Sequence, residues 1–194
     1  LAHLKKTGHL EKYGLDNFIS HTAANHFHLH REDYKLAKEL GHNATRLSLE
    51  WSRIEPEPGK FYEHALNHYR SVICHIKSLG IEPLVTLWHW TIPRWLRDQG
   101  GWLGAKTPKL FARFAEHVVH HLKDEVTFWI TLNEPEIYTT NSYLAGIWPP
   151  QKKSMSSFLR VFHRLISAHK LAYASIKKID PAAQVGIAKN NTYF

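Results

Sequence analysis

The apolar positions change period along the chain, and each change marks an element. Arg31 to Leu40 reads as a helix closed by Gly41. Ala44 to Leu49 alternates, with Arg46 and Ser48 polar and Leu47 and Leu49 apolar, the pattern of a half-buried strand. Glu55-Pro56-Glu57-Pro58-Gly59 interrupts it as a loop. From Glu63 to Leu79, Leu66, Tyr69, Val72, Ile73 and Ile76 recur at helical spacing, and Gly80 stops the run. Pro83 to Trp88 reads as the next strand. Thr107 as N-cap and Pro108 as first helical residue open a helix to Lys123, with Leu110, Phe111, Phe114, Val118 and Leu122 on one face. Val126 to Leu132, β-branched and aromatic with no internal charge, is a third strand. Phe158 to Ile179 is a long helix ended by Asp180-Pro181, and Gln184 to Ala188 is a fourth strand.

Strands alternating with helices predict a parallel sheet with crossover connections. Chemically versatile residues follow each strand: Glu50-Trp51, His89-Trp90, Asn133-Glu134 and Asn190-Asn191. Strand C-terminal ends carry the site in both TIM barrels and doubly wound sheets. Two features favour the barrel. No glycine-rich phosphate loop is present, and Arg46 in mid-strand requires a polar lumen or a carboxylate partner. Glu50 and Glu134 are the partners available within the chain. An edge strand with a solvated face would also accommodate Arg46.

The strongest local signal is Ile130-Thr131-Leu132-Asn133-Glu134-Pro135. Pro135 disfavours the helical region for Glu134 and predicts an extended residue at the strand's end, its carboxyl aimed out of the sheet. Such a carboxyl serves as a general acid where its surroundings raise its pKa. Taken alone, the same residues also read as an Asn/Pro turn with an exposed Glu. His89-Trp90 alone also reads as a core aromatic pair.

Composition narrows the classes. At 194 residues, 43% hydrophobic and 22% charged, the chain is that of a globular domain with a sizeable core. The formal net charge of +8 raises nucleic acid as a partner, but the basic residues are dispersed and no RRM, KH or zinc-finger pattern occurs. Nucleic-acid binding is not expected. Sixteen histidines include an i, i+4 pair, His117 and His121, without the glutamate of an H-E-x-x-H motif; they read as surface or half-buried side chains. No metal or cofactor is expected. Cys74, the lone cysteine, falls on the apolar side of a predicted helix and reads as a small core residue. No apolar run approaches the roughly 20 residues of a membrane span. No signal peptide is visible, so the expected location is cytoplasmic, although the start at Leu1 rather than Met leaves an upstream segment open.

Several segments together resemble glycoside hydrolase family 1, the β-glucosidase-like retaining glycosidases. ATRLSLEWSRIEP (44–56) resembles that family's second strand and loop. GIEPLVTLWHWTIPRWL (80–96) followed by GGWL (100–103) resembles the third, and WITLNEP (129–135) the fourth with its acid/base motif. NSYLAGIWPP (141–150) and the helix holding SAHKLAYA (167–174) fit the stretch after it, and VGIAKN (185–190) resembles the fifth strand. NEP alone is shared with neighbouring barrel families; TLWHW with TLNEP at this spacing is far more specific. The resemblance implies Glu134 as general acid/base and Asn133 as a hydrogen-bond partner of the sugar 2-hydroxyl. It implies His89 and Trp90 as binders of the sugar in the −1 subsite, and Arg46 as the residue that steadies the nucleophilic carboxylate. The implied substrate is a β-linked glycoside, cleaved by double displacement.

A TIM barrel takes about 250 residues, and the family has eight strands. Residues 1–194 are therefore expected to form a single domain: part of a (β/α)8 barrel holding strands two to five, without strand one or strands six to eight. The start at Leu1 and the end at Phe194 fit a fragment. Retaining chemistry needs two carboxyls about 5–5.5 Å apart, and the Thr-Glu-Asn-Gly motif that supplies the nucleophile in the family has no counterpart here. The alternatives are a non-catalytic half barrel that binds sugar or a partner, and a glycosidase of a neighbouring family that shares NEP. The preferred sugar and the oligomeric state stay open.

Overall fold

The computed structural model describes residues 21–191, together with Gly8, Glu11, Lys12 and Gly14. Both ends of the expected 1–194 domain lie outside the described residues. The elements run α1 (His26–Glu39), β1 (Ala44–Ser48), α2 (Trp51–Ile54), α3 (Glu63–Ser78), β2 (Glu82–Trp88), α4 (Arg94–Asp98) and a 3₁₀ turn (Gly101–Leu103). Then follow α5 (Thr107–Leu122), β3 (Phe128–Asn133), α6 (Pro135–Thr139), a π-helical turn (Thr140–Leu144), α7 (Met155–Ile179) and β4 (Gln184–Ala188).

Among the described residues the sheet has four strands in the order β1-β2-β3-β4, every pair parallel. A doubly wound sheet needs a point where the strand order reverses. None occurs here, and the sheet is the arc of a partial (β/α)8 barrel. The face of Val85 and Trp129, 0% and 1% exposed, packs on the helices. Phe111, Phe114, Val118 and Leu122 of α5 meet Val161, Leu165, Ala168, Ala172 and Ile176 of α7 there, and all nine are fully buried. Alanines at 168 and 172 let α7 come close, so the apolar stripe predicted on α5 packs against the inner face of α7. On the opposite face of the outer strands Arg46, Ser48 and Gly186 are exposed.

Several expectations shift. α1 begins five residues before Arg31, because Phe27 stacks on His68 (centroids 3.9 Å) and His30 is buried. The first turn of α1 is otherwise exposed, and His30 is the residue of the histidine-rich run that is buried. α7 begins at Met155 behind a Ser154 N-cap whose hydroxyl accepts from Ser157 N at 3.2 Å. Thr107 lies inside α5 and donates its hydroxyl to the Gly101 carbonyl at 2.6 Å instead of capping. Cys74 is exposed, one position past the buried Ile73, and so is not a core residue.

The expected loop, residues 55–59, follows α2 and opens on a buried acid. Glu55 is 0% exposed. It accepts from Trp51 Nε1 at 2.8 Å and Gly59 N at 2.7 Å, and it pairs with Arg113 of α5. A carboxylate is retained inside a fold when donors satisfy its oxygens. Glu55 thereby holds the first loop onto the helix layer, and its own carbonyl accepts from Trp95 Nε1 at 2.9 Å.

Glu55→Ala strands the buried Trp51 Nε1–H and frees the part-buried Gly59 N–H, whereas the half-exposed Arg113 loses little in water. The substitution is expected to lower unfolding stability by about 3 kcal/mol, read as a fall in the urea midpoint with unchanged slope. Glu55→Gln, which keeps an acceptor, should lose less. A second expectation concerns the arc. Its outer strands, β1 and β4, have no neighbours on their outer sides among the described residues. Unpaired edges template further pairing, so these 194 residues expressed by themselves should elute above monomer size in gel filtration. A stable monomeric peak at micromolar concentration would contradict it.

Candidate active site

Arg46 stands mid-way along β1 on the face the helices leave open. Its Nε donates to Thr86 Oγ1 on β2 at 2.8 Å, and its Nη2 donates to Asn133 Oδ1 on β3. One guanidinium thereby reaches across three strands. The expected carboxylate partner is not there: among the described residues no ion pair includes Arg46. Glu50 is used otherwise. It caps α2, accepting from Ser52 N and Oγ at 3.1 and 2.6 Å, and from Thr91 Oγ1 at 2.8 Å. Two neutral acceptors and solvent satisfy Arg46 instead, because its side of the strand is exposed.

Asn133 reaches that face through an irregularity. Ile130 pairs with Thr86 and shares its side of the sheet. Strict alternation would turn Asn133, three residues on, toward the helices. Between these two residues the register to β4 slips: Ile130 opposes Gly186 and Asn133 opposes Ala188, so three steps on β3 match two on β4. Such a bulge re-aims the side chain that follows it. Asn133 is then 2% exposed, and its carbonyl accepts from Trp90 Nε1 at 3.0 Å.

Glu134 follows in a left-handed conformation, φ 41° and ψ 60°, rather than the extended one expected. Its N–H still donates to the Ala188 carbonyl at 2.8 Å, so the chain keeps its sheet bond up to that atom. α6 begins at the next residue. Pro135 closes the right-handed region to Glu134, and a left-handed residue turns strand into helix in one step. Trp90, just past β2, is also left-handed at φ 77°. Each such residue costs about 1–2 kcal/mol, and both lie at neighbouring strand ends. Glu134 is half-buried and its side chain does not cap α6, which leaves its carboxyl out of local structure.

His89 sits at the rim. Its Nδ1 shares a 3.1 Å hydrogen bond with Ser48 Oγ, and its ring meets Trp90 edge-on with centroids 4.9 Å apart. Partial burial lowers its pKa below the usual histidine value, the charge on Arg46 adds to that, and Glu134 pulls the other way. The structure therefore brings Arg46, His89, Trp90, Asn133 and Glu134 to one end of the sheet. Thr86 and Ser48, missed in the sequence, orient Arg46 and His89; Ser48's place two residues after Arg46 was the available signal. Trp148, also missed, packs on Trp90 with centroids 4.6 Å apart. The two indoles, with Tyr143 and Ile92, line a groove of about 700 Å³. A carboxyl, an amide, an imidazole and flat apolar rings can bind a polyhydroxylated ring and exchange a proton with it.

A sequential parallel arc of four strands with these groups at its strand ends is part of a (β/α)8 barrel. Residues 7–194 match the sequence profile of glycosyl hydrolase family 1, and the chain belongs to that family. It is 35% identical over 179 residues to beta-glucosidase A of Acetivibrio thermocellus, covering 92% of this chain and 40% of that protein. Among solved structures it superposes on the beta-glucosidase from Thermotoga maritima in complex with noeuromycin. That match has a TM-score of 0.84 and 32% identity, over 87% of this chain and 39% of that one. The AHE enzyme from Alicyclobacillus herbarius gives 0.85 and 34%, over 89% and 39%. The chain thus spans about 40% of the length of the curated relatives it matches.

The charges around His89 make its titration a probe of this geometry. Arg46→Leu removes a cation that disfavours the imidazolium, so the His89 pKa should rise. Glu134→Gln removes an anion that favours it, so the pKa should fall. Opposite displacements of the His89 ring-proton midpoint in NMR titrations are expected; equal or absent displacements would separate His89 from both charges.

Proposed function

We propose that this chain is the acid/base-bearing part of a retaining β-glycosidase that hydrolyses β-linked O-glycosides by double displacement. The observation that carries this reading is the tethered end of β3, where Asn133 and Glu134 are held toward the open mouth of the arc. Glu134 protonates the leaving oxygen, then takes a proton from the water that resolves the glycosyl-enzyme. Asn133 gives Oδ1 to Arg46, so its amide N–H₂ is the end free to donate to a sugar 2-hydroxyl. His89, its Nδ1 bonded to Ser48, offers the other ring nitrogen to a hydroxyl. Trp90 and Trp148 supply flat faces for the C–H surfaces of sugar and aglycone.

The nucleophilic carboxylate belongs, in this reading, to the part of the family fold that the chain does not span. A place about 5–5.5 Å from Glu134 is required for it. Arg46 has exposed surface and no anionic partner among the described residues, and is the group that would meet it. Residues 1–194 act in the same reading as a single domain that is part of the barrel.

The test uses the full-length protein. Glu134→Gln should slow glycosides with poor leaving groups by about 10²–10⁴-fold and activated aryl glycosides much less, since these need little protonation. Azide should restore turnover of the activated substrate by attacking the glycosyl-enzyme without a general base. Equal losses on both substrates with no azide effect would remove Glu134 from this role, and a wild-type protein that binds sugar without turnover would make it a binding module.

A further inference from the structure

One cluster of ligating side chains lies outside the strand-end site, between α3 and α5. His117 and His121 are one helical turn apart on α5, and Glu63 is the first residue of α3. One ligand atom from each lies within 4.8 Å of the other two. His121 Nδ1 is 2.7 Å from the His117 carbonyl oxygen, which can only accept. That nitrogen therefore carries a proton, and Nε2, when it carries none, presents its lone pair. Nε2 faces Glu63 Oε1 at 3.4 Å, a second acceptor. Two acceptors aimed at one another need a positive centre between them, a metal ion or a proton on Nε2.

His117 completes the set. Its Nε2 is buried and has no hydrogen-bond partner. Its ring lies flat on Phe61, with centroids 3.8 Å apart and planes 18° apart, which holds its orientation. Arg113, one turn earlier on the helix, is paired with Glu55. We propose that His117, His121 and Glu63 form a binding site for a divalent transition-metal ion of the Zn²⁺ type, cross-linking α3 to α5. Zn²⁺ takes imidazole and carboxylate donors at about 2.0–2.2 Å in a tetrahedron, which sets donors about 3.3 Å apart. The 3.4 Å between His121 Nε2 and Glu63 Oε1 is already such an edge. The backbone carbonyl that receives the other nitrogen's proton is the usual outer partner of a metal-bound histidine. Glu63 is largely exposed, so its carboxylate can swing to close the third bond. The fourth position is left to water.

The experiment uses the full-length protein, stripped with EDTA and titrated with Zn²⁺ by calorimetry, and with Co²⁺ for its visible d–d bands. One equivalent with tetrahedral Co²⁺ absorption is expected. Glu63→Gln and His121→Ala should each weaken that equivalent by about tenfold or more, while His120→Ala, outside the cluster, leaves it unchanged. Glu63→Gln alters an exposed side chain at a helix start, so its result stands even if a histidine variant folds poorly. No tight equivalent, or one unaffected by Glu63→Gln and His121→Ala, would overturn the site and leave an imidazolium–carboxylate ion pair.

Discussion

The residues at the mouth of this arc depend on how the end of β3 is tied. Asn133 is bound to β1 through Arg46, and its carbonyl to Trp90 just beyond β2. The next peptide N–H is bound to β4. Three separate hydrogen bonds, each to a different neighbour, converge on two consecutive residues. A site that must hold a carboxyl within fractions of an ångström gains from this arrangement, since no single side-chain motion releases it.

Such a strand end is strained, and the strain is confined. Glu134 and Trp90 adopt a backbone that side-chain-bearing residues seldom occupy. Strain of this kind persists only where surrounding structure over-determines it. Here that structure is the sheet–helix core. Trp51 stacks on Phe114 with centroids 5.0 Å apart, Trp88 meets Trp102 and Tyr138 edge-on, and Trp129 is buried beneath β3. Glu55 locks the first loop onto the same layer. Rigid aromatic packing below and an irregular rim above divide stability from chemistry along the strand axis.

The two faces of the arc differ for the same reason. The helix-facing side is buried on the inner strands. The opposite side carries Arg46, Ser48 and Gly186 in the open on the outer strands, while Thr86 and Asn133 on the inner strands are buried. A barrel lumen is filled by side chains from all its strands, so an arc of four leaves its polar groups half-served. Arg46 shows this most directly: its two neutral acceptors hold it in place without matching its charge.

Much of this was legible in the residues. Period changes located all four strands within two residues at either end and the long helices within a few, because burial on one face imposes periodicity directly. The NEP run and TLWHW marked the ends of β3 and β2, where amide, carboxyl, imidazole and indole side chains gather. Local preference misled where tertiary bonds overrode it. Pro135 argued for an extended Glu134, yet the bond to Ala188 and the immediate start of α6 impose a left-handed turn. The register slip against β4 that carries Asn133 to the open face has no counterpart in the local pattern. Cys74 looked buried by helical spacing and lies just off the packed face. Periodicity is set by one residue's neighbours along the chain, and so the sequence by itself determined the four strands, the long helices and their parallel winding, but not the short helices α2, α4 and α6. Which side chains share a face, and what each is bonded to, depends on pairings across 40 to 90 positions such as Arg46 with Thr86 and with Asn133. Only the tertiary structure decided these, because the bulge and the crossings between strands arise from contacts that no local pattern encodes.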